Sequence, residues 1–365
     1  MSTRCGGWIF VFCFSLVSGF AQQVGPAGQS EPPAFVPPGS ANHRMTLDVV
    51  VTDKSGRPLP GLQQQDFTLL DNEQPQRIVS FHAVERGTAT PDPPVEVILL
   101  VDEVNTSYTN VAFERKEIEK FLGQTGGELP RPVLMAFLSD SGMIIGNTSS
   151  RDGNAVIAHL KEKESGLRTI IRSQGFYGAN DRLQLSFHAL VQFADYEATR
   201  PGRKLLVWIS PGWPLLAGPG VVLSSKGQQG VFRDIVALSD RLRRARITLY
   251  AVDPLGTADA GEFRAFHYKD FLKPVRKAGQ AQTGHLALQV LAYQSGGRVP
   301  NLNNDVAGEI AACVADANAF YVLSFDGLPG DGPNDYHALE IKIDKPGLAA
   351  RTRSGYYAQA EHLQE

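Results

Sequence analysis

The apolar run Val95-Glu96-Val97-Ile98-Leu99-Leu100-Val101 stops at Asp102, and Asn105, Thr106 and Ser107 follow within five residues. A run this apolar, without alternation, suits a strand buried on both faces. The acid therefore stands at the carboxyl end of that strand, where ligands collect in open α/β sheets. The same carboxylate has a second use: it can hydrogen-bond loop amides and cap the helix expected from about Asn110. Ser210 ends another buried run, Lys204-Leu205-Leu206-Val207-Trp208-Ile209, and Pro211-Gly212-Trp213 follows it. A serine at a strand end is a possible nucleophile, but the Gly-x-Ser-x-Gly elbow that exposes such an oxygen is missing. The eight histidines are dispersed, with no His-Glu-x-x-His and no Cys-His pair. No Walker loop and no dinucleotide glycine fingerprint follows a strand. These residues favour a non-enzymatic binding module. A structural scaffold without a dedicated ligand is the second reading, and a hydrolase using Ser210 with a distant histidine the third.

Other reactive groups are few. Cys5 and Cys13 fall in the leader described below, which leaves Cys313 alone in the mature chain and excludes an intramolecular disulfide. Cys313 continues a helical stripe with Val306 and Ile310, the setting of a buried, inert thiol. Arg241, Arg243, Arg244 and Arg246 gather at the end of a helix carrying Val231, Ile235, Leu238 and Leu242. They read as a solvated face favoured by the helix dipole, with an anion site as the second reading. The net charge of −3 gives no reason to expect nucleic acid or an anionic membrane as the main partner.

The elements that must position these groups are legible in order. Arg4, the apolar run Trp8–Val17 and Gly19-Phe20-Ala21 read as a secretory leader cut after residue 21, so the mature chain is expected to be exported: periplasmic, envelope-associated or extracellular. No membrane-length apolar segment follows in the mature chain. Residues 22–43, rich in Pro, Gly, Gln and Ser, read as a disordered tether. Residues 44–86 alternate as strands, with Met45, Leu47, Val49 and Val51 on one face. From residue 95 to about 317, buried strands at 95–102, 133–138, 204–210 and 247–252 alternate with amphipathic helices. That order implies a doubly wound, mostly parallel sheet covered by helices on both faces. Residues 173–181 read as a polar loop carrying Ser173 and Asn180, and 255–283 as an insertion. Residues 318–358 return to strands. The two flanking β segments are each too small to hold a core alone, so they are expected to pack together as a small β-sandwich-like module.

The order of these pieces resembles the von Willebrand factor A domain, and over the whole mature chain the secreted bacterial proteins related to it, known mainly from acidobacteria. The pieces are Val51-Thr52-Asp53-Lys54-Ser55-Gly56-Arg57, Leu62 and Asp66-Phe67 in front, and Leu99-Leu100-Val101-Asp102 with Asn105-Thr106 in the middle. Lys204 to Pro214, Leu249-Tyr250-Ala251-Val252-Asp253, Ser295-Gly296-Gly297, Tyr321 to Phe325 and Gly355-Tyr356-Tyr357 complete them. The resemblance implies a Rossmann-like fold and a protein ligand, hence an adhesive role. It also implies a metal-ion-dependent adhesion site, in which hard oxygens from an Asp-x-Ser-x-Ser loop and two further loops hold Mg²⁺, or Mn²⁺ or Ca²⁺ in its place. Here that set is degenerate. Val104 takes the first Ser position and Thr106 the second, with Asn105 and Ser107 as substitutes. Ser173 or Asn180 replaces a Thr, and Ser210-Pro211-Gly212 replaces Thr-Asp-Gly, so one expected acid is gone. The ligand-binding face implied by the resemblance comprises Asp102, Thr106, Ser107, Ser173, Asn180, Ser210 and Trp213.

Overall fold

Alternation shapes the first element. Strand β1 (Arg44–Thr52) buries Met45, Leu47, Val49 and Val51. Strands β2 (Phe67–Asp71), β3 (Gln74–Gln76) and β4 (Ser80–Glu85) follow. The computed structural model describes residues 44–85, 94–162, 175–214, 223–254, 268–300 and 304–360. The leader, the tether, Ser173 and residues 255–267 of the insertion lie outside the described residues.

The middle of the chain is α/β. Strand β5 (Val95–Asp102) leads into helix α1 (Tyr108–Leu122), whose N-cap Ser107 accepts from the Asn110 amide at 3.4 Å. Strands β6 (Glu128–Ser139), β7 (Gly142–Ile145) and β8 (Ser150–Asp152) precede α2 (Gly153–Glu162) and α3 (Gly175–Glu197). Then come β9 (Arg203–Ile209), α4 (Ser225–Arg244), β10 (Ile247–Val252), α5 (Leu288–Gln294) and α6 (Val306–Ala315). The strands form one six-stranded sheet, ordered β10-β9-β5-β6-β7, with β8 also on β6. The four strands β10, β9, β5 and β6 are parallel neighbours, whereas β7 and β8 run antiparallel to β6.

The sheet is therefore mixed, four parallel strands with antiparallel β7 and β8 on one side, which corrects the expectation of a doubly wound, mostly parallel one. The cause is local. Ser139 pairs with Gly142 across a tight turn, and Gly142 takes φ +100°, open to glycine and costly for other residues. A hairpin returns the chain antiparallel, whereas a parallel neighbour needs a long crossover. Residues 298–300 form no strand, and the Arg298 carbonyl meets the edge of β10, accepting from the Ala251 amide at 3.1 Å.

Successive residues of β5 feed opposite faces. Val97, Leu99 and Val101 pack with Val111, Ile118 and Leu122 of α1 and Ile310 and Cys313 of α6. Ile98 and Leu100 pack with Leu190 and Phe193 of α3, Leu238 of α4 and Leu291 of α5. Cys313 is a buried free thiol, and burial pushes its pKa up, as befits an inert group.

The chain ends in β11 (Ala319–Asp326), β12 (Asp335–Ile343), β13 (Ala349–Arg351) and β14 (Gly355–Ala358). They complete two antiparallel sheets, β13-β1-β11-β4 and β14-β12-β2-β3, each combining strands from both ends of the sequence. Leu47, Val49, Phe67, Leu69, Leu323 and Phe325 fill the space between them. The α/β elements leave this arrangement at Glu85 and rejoin it at Ala319, two residues that pair directly in the β4–β11 ladder. Buried polar ties join the two parts. Asp316, fully buried beyond α6, accepts from Tyr250 Oη at 3.0 Å, from Arg298 at 3.1 Å and from Arg351. Arg131 Nη2 of β6 donates to the Glu85 carbonyl of β4 at 3.3 Å, and Arg246 pairs with Asp48 at 2.5 Å.

Candidate functional site

Asp102 ends β5 with no exposed surface. One carboxylate oxygen, Oδ1, accepts the backbone amides of Val104 and Asn105, both at 2.9 Å. The other, Oδ2, accepts Asn105 Nδ2 at 2.8 Å and Trp208 Nε1 at 3.0 Å. Four donors meet about four lone-pair positions, so the carboxylate is saturated. The arrangement draws on four elements. Asn105 Nδ2 also donates to Ser186 Oγ of α3 at 2.9 Å, Trp208 comes from β9, and the Asp102 amide reaches Glu114 Oε1 of α1 at 3.4 Å. Glu114 is itself wholly buried; burial first, and then the charge of Asp102, hold its pKa well above the usual carboxylate range. Next to them Arg115 pairs with Glu103 at 2.8 Å. Asn105 Oδ1, Thr106 Oγ1 and Glu114 Oε2 are buried without hydrogen-bond partners.

The other sequence candidates divide. Thr106 shares the buried loop with Asp102 and Asn105. Ser210 lies on the same rim, one residue beyond the Val101–Ile209 pair. It is fully buried, its Oγ accepts from the Gly212 amide at 3.0 Å, and its own amide donates to the Val252 carbonyl. Trp213 is buried edge-on against Trp208, ring centroids 5.3 Å apart, and donates Nε1 to the Leu286 carbonyl at 2.9 Å. Ser107 stays at the surface as the cap of α1. Asn180, expected in a loop, lies instead in the second turn of α3, half-buried. Ser173 lies outside the described residues.

A divalent cation of the kind the resemblance implies does not fit this set. Magnesium requires oxygen lone pairs in an octahedral shell. Those of Asp102 are occupied by N–H groups, and Val104 buries its side chain in the core between sheet and α3. Pro211 supplies no side-chain donor, and Ser210 turns toward Gly212. Among the described residues no group of three or more His, Cys, Asp or Glu side chains is placed to hold a metal.

Three residues that fasten this rim, Glu114, Ser186 and Trp208, were not singled out from the sequence. For Glu114 a signal existed. It stands three residues after Val111 and four before Ile118, an acid on the apolar stripe of α1. Ser186 and Trp208 carry no comparable mark, because a serine in a helix and a tryptophan in a buried strand are ordinary occupants.

No family model matches the chain, and no curated protein matches it. Among solved structures the chain is similar to the pilus adhesin SpaC from Lactobacillus rhamnosus GG, at 9% identity over 82% of this chain and 43% of that one, with a TM-score of 0.36. The chain thus spans less than half the length of that adhesin. A superposition this loose carries no argument. The von Willebrand factor A resemblance accordingly rests on the sequence motifs. Among the described residues no helix is long and apolar enough to cross a membrane.

Proposed function

We propose that this chain is an exported, non-enzymatic protein-interaction module of the von Willebrand factor A-related kind, which contacts its partner without a metal ion. The fold supports the relationship through four adjacent parallel strands with helices packed on both faces. The observation that carries the functional reading is the edge at β7. On that side β7 is the last strand of the sheet among the described residues, and its sequence is Gly-Met-Ile-Ile. Ile144 is 46% exposed, and α3, which packs beside β7, presents Tyr177 at 78% exposure near its first turn. An open apolar edge with a neighbouring aromatic suits addition of a strand from a partner protein. The locked Asp102 cluster then acts as a brace: it ties α3 to the strands and holds this surface rigid.

The test is capture of partners from native envelope extract by the wild-type chain and by Ile144→Asp. Saturable capture lost in the variant supports the reading. Ester or peptide turnover abolished by Ser210→Ala replaces it with the hydrolase. Calorimetry with Mg²⁺ or Mn²⁺ is expected to give no binding heat on the wild type or on Asp102→Asn; a saturable heat confined to the wild type restores the metal-dependent version.

A further inference from the structure

A narrow polar cleft opens where the end of α4 meets β1 and the turn between β13 and β14. Thr46 and Asp48 of β1, Arg243 of α4, Arg246, Thr248 of β10, and Arg353 line it. Three guanidiniums converge there and two of them are matched. Arg246 grips both oxygens of Asp48, through Nη2 at 2.5 Å and Nε at 3.4 Å. Arg243 takes Asp240 at 2.5 Å. Arg246 holds its place in the left-handed region at φ +52°, a conformation that side chains other than glycine rarely adopt.

Arg353 is the unmatched one. It is 8% exposed, its Nη2 has a long bond of 3.4 Å to the Ser239 carbonyl, and its Nη1 has no hydrogen-bond partner. Burial, followed by the positive charge of Arg243, pushes its pKa down to about 9, and the nearby Asp240 and Asp48 only partly offset this. An ion buried without a counter-ion is costly and calls for one. The cleft offers about 20 Å³, room for a single water-sized group.

We propose that this cleft is an oxyanion-binding site in which one oxygen of a phosphate, sulfate or carboxylate group enters and pairs with Arg353, while the remainder of the group stays at the mouth between Arg243 and the threonine hydroxyls. Guanidinium is the side chain best matched to such groups, through two parallel N–H donors. The site is distant in sequence from the Asp102 rim and independent of the partner-binding reading. It also joins the two parts of the fold, since its residues come from the β-sandwich strands and from the end of α4.

The experiment is calorimetry and thermal unfolding of the full chain in sodium phosphate, sulfate, acetate and chloride at equal ionic strength. A rise in Tm above chloride, with an affinity about tenfold weaker in Arg353→Gln and unchanged in Arg241→Gln, supports the site. Arg241 bonds Asp195 on the outer face and serves as the control. Phosphate and sulfate acting without acetate identify a tetrahedral group, and acetate acting alone identifies a carboxylate. Should Arg353→Gln not fold, Arg243→Gln is expected to show the same weakening. Equal behaviour in all four salts, or equal responses of the wild type and both cleft variants, overturns the proposal and leaves the cleft to water.

Discussion

At the scale of single residues, Asp102 is worth more to the fold than to any ligand. Replacing it with Ala orphans four donors, two of them backbone amides and one the buried Trp208 indole. Each buried donor left unmade costs about 1–3 kcal/mol, and with partial relaxation the total is expected to reach about 3–5 kcal/mol in urea unfolding. Its neighbour Glu114 sets a pH dependence. Its pKa is raised in the folded state, so the fold retains a proton that the unfolded chain releases near 4.5. That contribution is complete below 4.5 and is lost as pH climbs through the folded pKa. Glu114→Gln stays neutral throughout. Its Tm relative to wild type is therefore expected to increase as pH rises above 4.5, levelling off once Glu114 ionises in the fold, and parallel curves would show that its folded pKa is not raised. Asp102 itself was legible because an acid after seven mostly apolar residues stands out. Its bonds to the loop amides follow from the same position, but the fourth donor, Trp208 Nε1, comes from β9 and carries no mark in the sequence.

At the scale of elements, the buried strands followed from local chemistry, whereas α1 is capped by Ser107 rather than by Asp102, whose oxygens are taken by the amides of the preceding loop. The runs at 95–102, 203–209 and 247–252 are almost wholly buried and mostly apolar, as strands covered on both faces must be. The hairpin of β6 and β7 was missed as a determinant of strand direction, although Ser139-Asp140-Ser141-Gly142 is a plain turn. A short strand after a turn has two places to go, and only its pairing decides. Asn180 reads as loop because Gly175 and Gly178 precede it in a polar stretch, yet the helix begins at Gly175. Context also governs glycine. At Gly297 a Cβ would sit 1.7 Å from the Leu249 carbonyl oxygen, whereas at Gly230, inside α4, it would meet nothing within 4 Å. The same substitution should therefore act with opposite sign in thermal unfolding. Gly297→Ala is expected to cost about 2–4 kcal/mol through strand displacement, and Gly230→Ala to add about 0.5–1 kcal/mol of helix stability.

At the scale of the whole molecule, the β segments at the two ends of the sequence depend on each other. β1 has β11 on one side and β13 on the other, and β2 lies against β12. Removing residues 318–365 would uncover Leu47, Val49, Phe67 and Leu69 together. The truncated chain is expected to aggregate, or to lose cooperative unfolding in circular dichroism and gel filtration; a soluble, cooperative product would show that the α/β part carries the fold alone. Sequence patterning announced this mutual dependence only indirectly, by making each segment too short to close a core. It was silent on the Arg246–Asp48 and Asp316–Arg351 ties, because charges far apart in a sequence carry no mark of their partners.

The Glu85–Ala319 rung has a consequence for how such a protein can change. The chain departs from its host layer and comes home at facing positions, about 5 Å apart. Whatever travels between those two points is, to the host, a loop of zero span. A guest of any size, or a tight two-residue turn, meets the same doorway and leaves the ladder in register. The inserted elements can thus be exchanged as cargo while the frame that carries them keeps its shape.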